Sequence, residues 1–494
     1  MSVERNLPLV RERRQALLDG DAASIAKQKA AGKLTARERI ARLLDEASFV
    51  ELETFAEASG VVTGYGMVEG NPVYVYAQDF TVKGGSVGAA HARKVLKVMD
   101  LAEKTGAPVV ALCDSAGARL TEGADALNAY AQIMARTAAL SGVVPQIALI
   151  LGPCAGGAAM CAQMNDLVIT SKNGRQFVNG PQVVSAATGE QVTAEQLGGM
   201  EAQAASGAAH MSAGSDEEAI LLARKVLSML PQNNLEEPPL DPTIADDLNR
   251  DVVELASLDV VADMAEVIAP LADNHDLLTL QAGYAPEMFT ALGRIGGSTV
   301  GFVATQPQAD EGRLTVTGAR KAARFIRMCD AFSIPVISFV DTQGMKLSCK
   351  CSQGDIARAG AQLMFAYADT TAPRIAVITG NAIGMGYAAM ASRAAADMVY
   401  AWPGAVISPM GAPAAVQILS EDELKAAKDP IAKRAELEQE YQDKVADGMN
   451  AALRGYVDDV IEPAATRQML AAALSMLSSK RDVRPSKKHG NLPL

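Results

Sequence analysis

Two kinds of apolar pattern alternate along the chain. After Ala92-Arg93-Lys94, the residues Val95, Val98, Met99 and Ala102 recur at helical spacing and predict an amphipathic helix. A proline then opens an unbroken apolar run, Pro108-Val109-Val110-Ala111-Leu112-Cys113. A short β-branched run without polar alternation predicts a strand buried on both faces. A polar loop follows, Asp114-Ser115-Ala116-Gly117, then a second helix, a second buried strand from Gln146, a glycine turn and a third helix.

The whole order then repeats. Ala319-Arg320-Lys321, the strand Pro335-Val336-Ile337-Ser338-Phe339-Val340 and the loop Asp341-Thr342-Gln343-Gly344 lie 227 positions after their first-half counterparts. Pro145-Gln146-Ile147-Ala148-Leu149-Ile150-Leu151-Gly152 matches Pro373-Arg374-Ile375-Ala376-Val377-Ile378-Thr379-Gly380 at an offset of 228, and Gly156 falls on Gly384 at the same offset. One inserted residue over a whole domain marks an internal duplication. Helices alternating with buried strands give each half an α/β fold with a largely parallel sheet. Prolines 231, 238, 239 and 242 cluster with acidic residues between Leu230 and Ile244, so the two domains are expected at 1–236 and 237–494. A length of 494 residues suits that division. At the termini, Thr35-Ala36-Arg37-Glu38 reads as a capping box opening a helix to about Leu44, wrapping its own domain rather than docking a partner. Glu421–Asn450 reads as a charged helical stretch.

Charge and composition narrow the function. The chain carries 57 acidic against 45 basic residues, and 4% aromatics with a single tryptophan, Trp402. That argues against nucleic-acid binding, although a local basic pocket could still take an anionic small molecule. Six scattered cysteines form no zinc-ribbon spacing, and no metal site is expected. Cys349-Lys350-Cys351 is read as two free thiols on a loop before a redox pair. The opening MSVERNLPLVRERR is charged and lacks the apolar centre of a signal peptide. The charge-free stretch Thr137–Asn165 is broken by prolines and glycines, unlike a membrane span. A cytoplasmic location is expected, with peripheral attachment to a membrane complex left open.

The chemistry concentrates at the two glycine turns, Gly152-Pro153-Cys154-Ala155-Gly156-Gly157 and Gly380-Asn381-Ala382-Ile383-Gly384-Met385-Gly386. A strand that ends in glycine before a helix leaves backbone N–H groups open, and the helix dipole adds to their pull on an anion. Such amides can hold a developing enolate oxygen, each worth roughly 2.7–4 kcal/mol. Tight packing by small residues is the competing explanation for one turn, but two at equivalent positions favour the oxyanion reading. Side-chain candidates are few. His275 reads as surface and His210 as a core histidine; His91 and His489 complete the set. No HExxH, GxSxG or Walker motif occurs, so the proton acceptor is expected to come from substrate or cofactor.

These turns carry a resemblance to a known family. With Lys33-Leu34-Thr35-Ala36-Arg37-Glu38-Arg39, Asp79-Phe80-Thr81-Val82-Lys83-Gly84-Gly85-Ser86, Asp114-Ser115-Ala116-Gly117-Ala118-Arg119, Ala401-Trp402-Pro403, Met410-Gly411-Ala412 and the terminal Lys487–Leu494, nearly the whole chain resembles the biotin-dependent acyl-CoA carboxyltransferases. These are subunits of propionyl-CoA and acyl-CoA carboxylases and of methylmalonyl- or glutaconyl-CoA decarboxylases. The resemblance implies two tandem crotonase-like (ClpP/crotonase superfamily) domains and a homohexamer, each active site lying between the N-domain of one copy and the C-domain of another. It implies that Gly156 and Gly157 hold the biotin carbonyl, and Met385 and Gly386 the thioester oxygen. Ala116, Gly117, Arg119, Ala155, Gly180, Gly384, Tyr387, Ala388 and Gly411 would contact substrate or cofactor. Neither a biotinyl-lysine motif nor an ATP-grasp loop is present, so the implied partners are a biotin carboxyl carrier protein and either a biotin carboxylase or a membrane decarboxylase subunit.

The second half departs from the family pattern. The usual Gly-Gly-Ala-Tyr-Asp is here Gly384-Met385-Gly386-Tyr387-Ala388, and the usual Pro-Gly-Phe-x-Pro-Gly loses both prolines in Gln343–Ser348. The segment at 56–60 is short where many members carry an insert. A backbone donor survives the glycine-to-methionine change only at negative φ. Alternatives are therefore an assembly subunit with a decayed acyl-CoA site, or a hydratase or isomerase using Glu122 or Asp355. For the CoA phosphates the candidates are Lys83, Arg119 and Arg358.

Overall fold

Each half of the chain builds one eight-stranded sheet. The structure is a computed structural model that describes residues 3–56, 59–257, 262–350 and 354–493. Two units divide the chain, Met1–Glu237 and Pro238–Leu494.

In the first unit the sheet runs β1 (Val50–Leu52), β2 (Val61–Val68), β3 (Asn71–Gln78), β4 (Val109–Ser115), β5 (Gln146–Ala155) and β6 (Leu167–Ser171). The short β7 (Arg175–Phe177) pairs with the end of β5, and β8 (Met211–Ala213) lies beyond β6. Pairing is antiparallel from β1 to β3 and parallel from β3 onward. The second unit repeats this with β9 (Leu277–Thr279), β10 (Met288–Ile295), β11 (Ser298–Thr305), β12 (Val336–Thr342), β13 (Arg374–Ile383), β14 (Met398–Ala401), β15 (Val406–Ser408) and β16 (Asp459–Val460). Again the first three strands are antiparallel and the rest parallel.

The central strands β4 and β12 are buried at every position, as unbroken apolar runs require. Helices cover the sheets. In the first unit α1 (Val3–Asp19), α2 (Ala22–Ala30) and α3 (Ala36–Leu43) precede α4 (Ala89–Thr105), α5 (Ala124–Leu140) and α6 (Gly157–Gln163). Val95, Val98, Met99 and Ala102 of α4 form one core with Ile133 and Leu140 of α5 and with Val109, Ala111, Ala148 and Ile150 of the sheet. The capping box forms as expected: Glu38 N–H donates to Thr35 Oγ1 at 3.3 Å and Thr35 N–H to Glu38 Oε2 at 2.9 Å. The α3 helix wraps its own unit, burying Ala36, Arg39, Ile40 and Leu43. Among the described residues, no helix is long and apolar enough to cross a membrane.

Two features depart from the pattern reading. The antiparallel hairpins β2–β3 and β10–β11 open each sheet; their turns, Glu69-Gly70 and Gly296-Gly297, have positive φ at both central positions. That is the two-residue geometry which suits tight hairpins, and Gly296-Gly297 between apolar runs was a legible signal for it. The charged stretch from Glu421 is several pieces, Glu421–Ala426, Pro430–Tyr441, a π turn at Gln442–Ala446 and Gly448–Leu453. Pro430, confined to a helix first turn by its missing N–H, starts a new helix there.

Candidate active site

The two glycine turns have one backbone geometry. Gly156 follows β5 with φ 63° and ψ −129°, and Gly384 follows β13 with φ 56° and ψ −130°. Only glycine enters that region without strain. The turn residue's own amide is used in both units: Gly156 N–H donates to Phe177 O at 3.0 Å and Gly384 N–H to Ser408 O at 2.7 Å. The next bond inward is Ala159 N–H to Gly156 O at 3.2 Å in one unit and Ala388 N–H to Gly384 O at 3.3 Å in the other. Between these bonds, the amides of Gly157 and Ala158 in the first unit, and those of Met385, Gly386 and Tyr387 in the second, have no intrahelical acceptor. In the first turn Gly156 therefore sets the bend with its amide bonded to Phe177 O, and the open amides are those of Gly157 and Ala158. The helices that follow, Gly157–Gln163 and Met385–Met390, span barely two turns, so any pull on an anion there comes from local amides rather than from a long macrodipole.

Neighbouring loops complete each turn in parallel ways. After β4, Gly117 (φ 105°) lies so close to Ala155 that a Cβ would stand 3.3 Å from its carbonyl oxygen. After β12, Gly344 (φ 92°) stands likewise 3.2 Å from Ile383 O. Ser115 Oγ accepts from Gly117 N–H at 3.1 Å, and Thr342 Oγ1 from Gly344 N–H at 3.0 Å. Ala116 is exposed and its N–H donates to Gly84 O at 2.9 Å. On the other side, Gly156 faces Val178 O and Gly384 faces Pro409 O. Those segments lead into Gly180 and Gly411, which stand before the helices Pro181–Thr188 and Ala412–Leu419. Around the second turn Tyr387 and Ala388 are half-buried.

The two turns differ in what packs behind them, and this explains their sequences. A Cβ on Gly157 would meet the ring of the buried Tyr130 at 2.7–2.9 Å, whereas the next residue, Ala158, keeps its methyl. In the second unit the roles reverse. Met385 is tolerated, being 58% exposed and with its φ outside the positive range, but a Cβ on Gly386 would meet Thr342 Cγ2 at 2.6 Å. Ser115, the counterpart of Thr342, has no such methyl. The methionine therefore keeps its amide available, which removes the ground for a decayed turn.

Charged residues are mostly committed elsewhere. Arg119 is buried, not poised for a phosphate: Nη2 donates to Ser59 O at 3.0 Å and Ser86 O at 2.8 Å, Nε to Ser86 Oγ at 3.3 Å and Nη1 to Glu122 at 3.0 Å. Glu122 also accepts Ala89 N–H at 2.7 Å, and that bond with Arg119 holds its carboxyl below the usual range. Asp355 pairs with Arg358 at 2.5 Å and with Arg320, which lowers its carboxyl too. Neither carboxylate is a poised base. Lys83 is exposed. His210 is a core histidine whose Nδ1 accepts Val168 N–H at 3.0 Å. Burial lowers His91 to about 3, so it is neutral, and its Nδ1 bonds Ser59 O at 3.1 Å. His275 is exposed. Cys349 is exposed, while Cys351 and residues 57–58 of the shortened segment lie outside the described residues.

One cluster escaped the sequence reading. Asp114, fully buried beside the first turn, binds Lys33 Nζ at 2.8 Å and Arg39 Nη1 at 2.8 Å. Arg39 also pairs with Asp216 at 2.8 Å and donates to Leu151 O at 2.8 Å. Lys33 and Arg39 flank the capping box, so that motif's second task is to neutralise this carboxylate.

A family model for the carboxyl transferase domain matches residues 27–492. The chain belongs to the carboxyl transferase family. It is 43% identical to the methylmalonyl-CoA decarboxylase subunit alpha of Propionigenium modestum, over 98% of both chains. It is 43% identical to the methylmalonyl-CoA carboxyltransferase 12S subunit of Propionibacterium freudenreichii subsp. shermanii, over 100% of this chain and 98% of that one. The solved structure of a transcarboxylase 12S hexamer with methylmalonyl-coenzyme A and methylmalonic acid bound superposes with a TM-score of 0.97 at 43% identity, covering 100% of this chain and 99% of that one. This carboxyl transferase is of the biotin-dependent carboxylase and decarboxylase type, with the tandem crotonase-like fold.

Proposed function

We propose that this carboxyl transferase moves a carboxyl group between carboxybiotin and the α-carbon of a short-chain or dicarboxylic acyl-CoA, methylmalonyl-CoA foremost. The observation that carries the reading is the pair of matched turns, each of which leaves its first two helical amides open after a glycine that only sets the bend. Bound carboxybiotin would supply CO₂ and a ureido nitrogen able to take the α-proton. The chain supplies charge stabilisation at two carbonyl oxygens, the ureido oxygen at Gly157 and Ala158 and the thioester oxygen at Met385 and Gly386. Preorganised donors act where charge develops and need no reorganisation during the step. A catalytic base on the protein is unnecessary, in keeping with the committed state of Glu122 and Asp355. Ala116, Gly117, Ala155, Gly180, Tyr387, Ala388 and Gly411 would border the two ligands, and Lys83 and Arg358 are the exposed candidates for CoA phosphate. We assign the working form to a homohexamer that pairs the first turn of one copy with the second of another. Its partners would be a biotin carboxyl carrier protein and a biotin carboxylase or membrane decarboxylase subunit.

The test is carboxyl transfer between free biotin and malonyl-, methylmalonyl- or glutaconyl-CoA. Turnover with at least one is expected, and none with any overturns the reading. Substitutions at each turn assign the ligands: a variant at Gly157 should alter the response to biotin, and one at Gly386 the response to acyl-CoA. The opposite split would exchange the two assignments.

A further inference from the structure

The acidic residue that closes the central strand is the same in both units, Asp114 and Asp341, but its partners are not. Asp114 sits in a cage of Lys33, Arg39 and Gln28. Asp341 is 7% exposed and forms no ion pair among the described residues; burial raises its carboxyl above the usual range. Its carboxylate accepts from one residue, Asn381, through the backbone N–H at 2.8 Å and the side-chain Nδ2 at 3.2 Å.

The reason lies in a bulge that both sheets share. In the second sheet Val340 pairs with Ile378, and the next pair is Thr342 with Ala382, so Thr379, Gly380 and Asn381 bow out of the ladder. The first sheet does the same between Cys113–Ile150 and Ser115–Cys154. There the bulge holds Pro153, which has no N–H to satisfy. Here Asn381 stands in its place, and its amide needs an acceptor. Gly380 makes the room, since a Cβ on it would stand 2.5 Å from the Asp341 carboxyl carbon. Asp341 is itself fixed from the other side: its N–H donates to Thr305 Oγ1 at 2.8 Å, and Thr305 Oγ1 donates to Asp341 O at 2.9 Å.

We propose that Asp341 is a positioning residue: through Asn381 it clamps the strand bulge three residues ahead of Gly384 and so holds the Met385 and Gly386 amides where the second turn uses them. The proposal rests on the function given above, so its test needs a readout independent of turnover. Hydrogen–deuterium exchange of the Arg374–Ile383 strand provides one. Exchange there should quicken on the order of ten-fold in Asp341→Ala. It should stay near wild type in Asp341→Asn, whose Oδ1 still accepts the Asn381 amide. In carboxyl transfer, Asp341→Ala should lose roughly ten- to a hundred-fold in kcat with KM for acyl-CoA changed less than about three-fold, and Asp341→Asn should restore most of it. Should Asp341→Ala fail to fold, Asn381→Pro, which removes both donors of the clamp, should show the same loss, and adding Asp341→Asn should not restore it; restoration would mean a stranded charge rather than a lost clamp and would overturn the proposal. Unchanged strand exchange in Asp341→Ala, or equal kcat losses for alanine and asparagine, overturns the clamp. A wild-type enzyme that turns over no thioester overturns the function instead, and the exchange experiment still decides the clamp.

Discussion

Gly386→Ala is the sharpest probe of the second turn, because the first unit already contains its remedy. The new Cβ would stand 2.6 Å from Thr342 Cγ2, roughly 1 Å inside ordinary contact, with its other nearest atoms at 3.5 Å. Thr342 is fully buried and its hydroxyl is engaged with Gly344, so the methyl has nowhere to turn. The backbone at Gly386 must move instead, and its N–H moves with it. A displaced oxyanion donor costs about 10²–10³ in kcat, so Gly386→Ala should lose on the order of 100-fold. Thr342→Ser keeps the hydroxyl that holds Gly344, removes the methyl, and alone should change kcat less than about three-fold. Together the two changes recreate the Ala158–Ser115 pair and should recover to within roughly five-fold of wild type, a coupling energy of at least about 1.8 kcal/mol in a double-mutant cycle. The assay is carboxyl transfer from methylmalonyl-CoA to free biotin at saturating substrate. If Gly386→Ala keeps full activity, its amide is not in the site. If the double variant is no better than the single, the clash is not the cause, and the explanation of the turn sequences fails.

Two further outcomes follow from buried charge. Asp114→Ala leaves Arg39, fully buried, with one carboxylate fewer; breaking such a pair typically costs about 3–5 kcal/mol, and the thermal midpoint at fixed protein concentration should fall clearly, whereas an unchanged midpoint would show the cage to be dispensable. Asp341 has its carboxyl raised by burial, so the ionised form weakens the fold at pH above that raised value and the weakening is relieved as pH falls through it; Asp341→Asn should therefore melt higher than wild type at pH 7.5, by a margin that narrows toward acid, and a margin independent of pH would refute the assignment.

How much of this was legible follows from where each signal resides. Buried strands announce themselves through unbroken apolar runs, and the duplication through fixed offsets, so the α/β order and the location of both turns could be read from the chain alone. The bend glycine was legible as well, but not that its own amide is spent: Phe177 and Ser408, the acceptors, lie 21 and 24 residues downstream on strands too short to leave a pattern. Arg119 shows the same blindness from the other side, since a motif arginine near a loop reads as a phosphate contact until its four acceptors are seen. The Met385 departure looked like decay because a one-dimensional comparison sets glycine against methionine. In three dimensions the question is which neighbour needs the space: Tyr130 claims it at Gly157, and Thr342 claims it one residue later at Gly386. Each turn keeps one glycine against its own bulky neighbour, and the adjacent position is released to carry a side chain. What must match between the two turns is therefore the open amides that directly follow the bend and not the residues that bear them, which is why a family pattern can change its letters here while the geometry it serves stays intact.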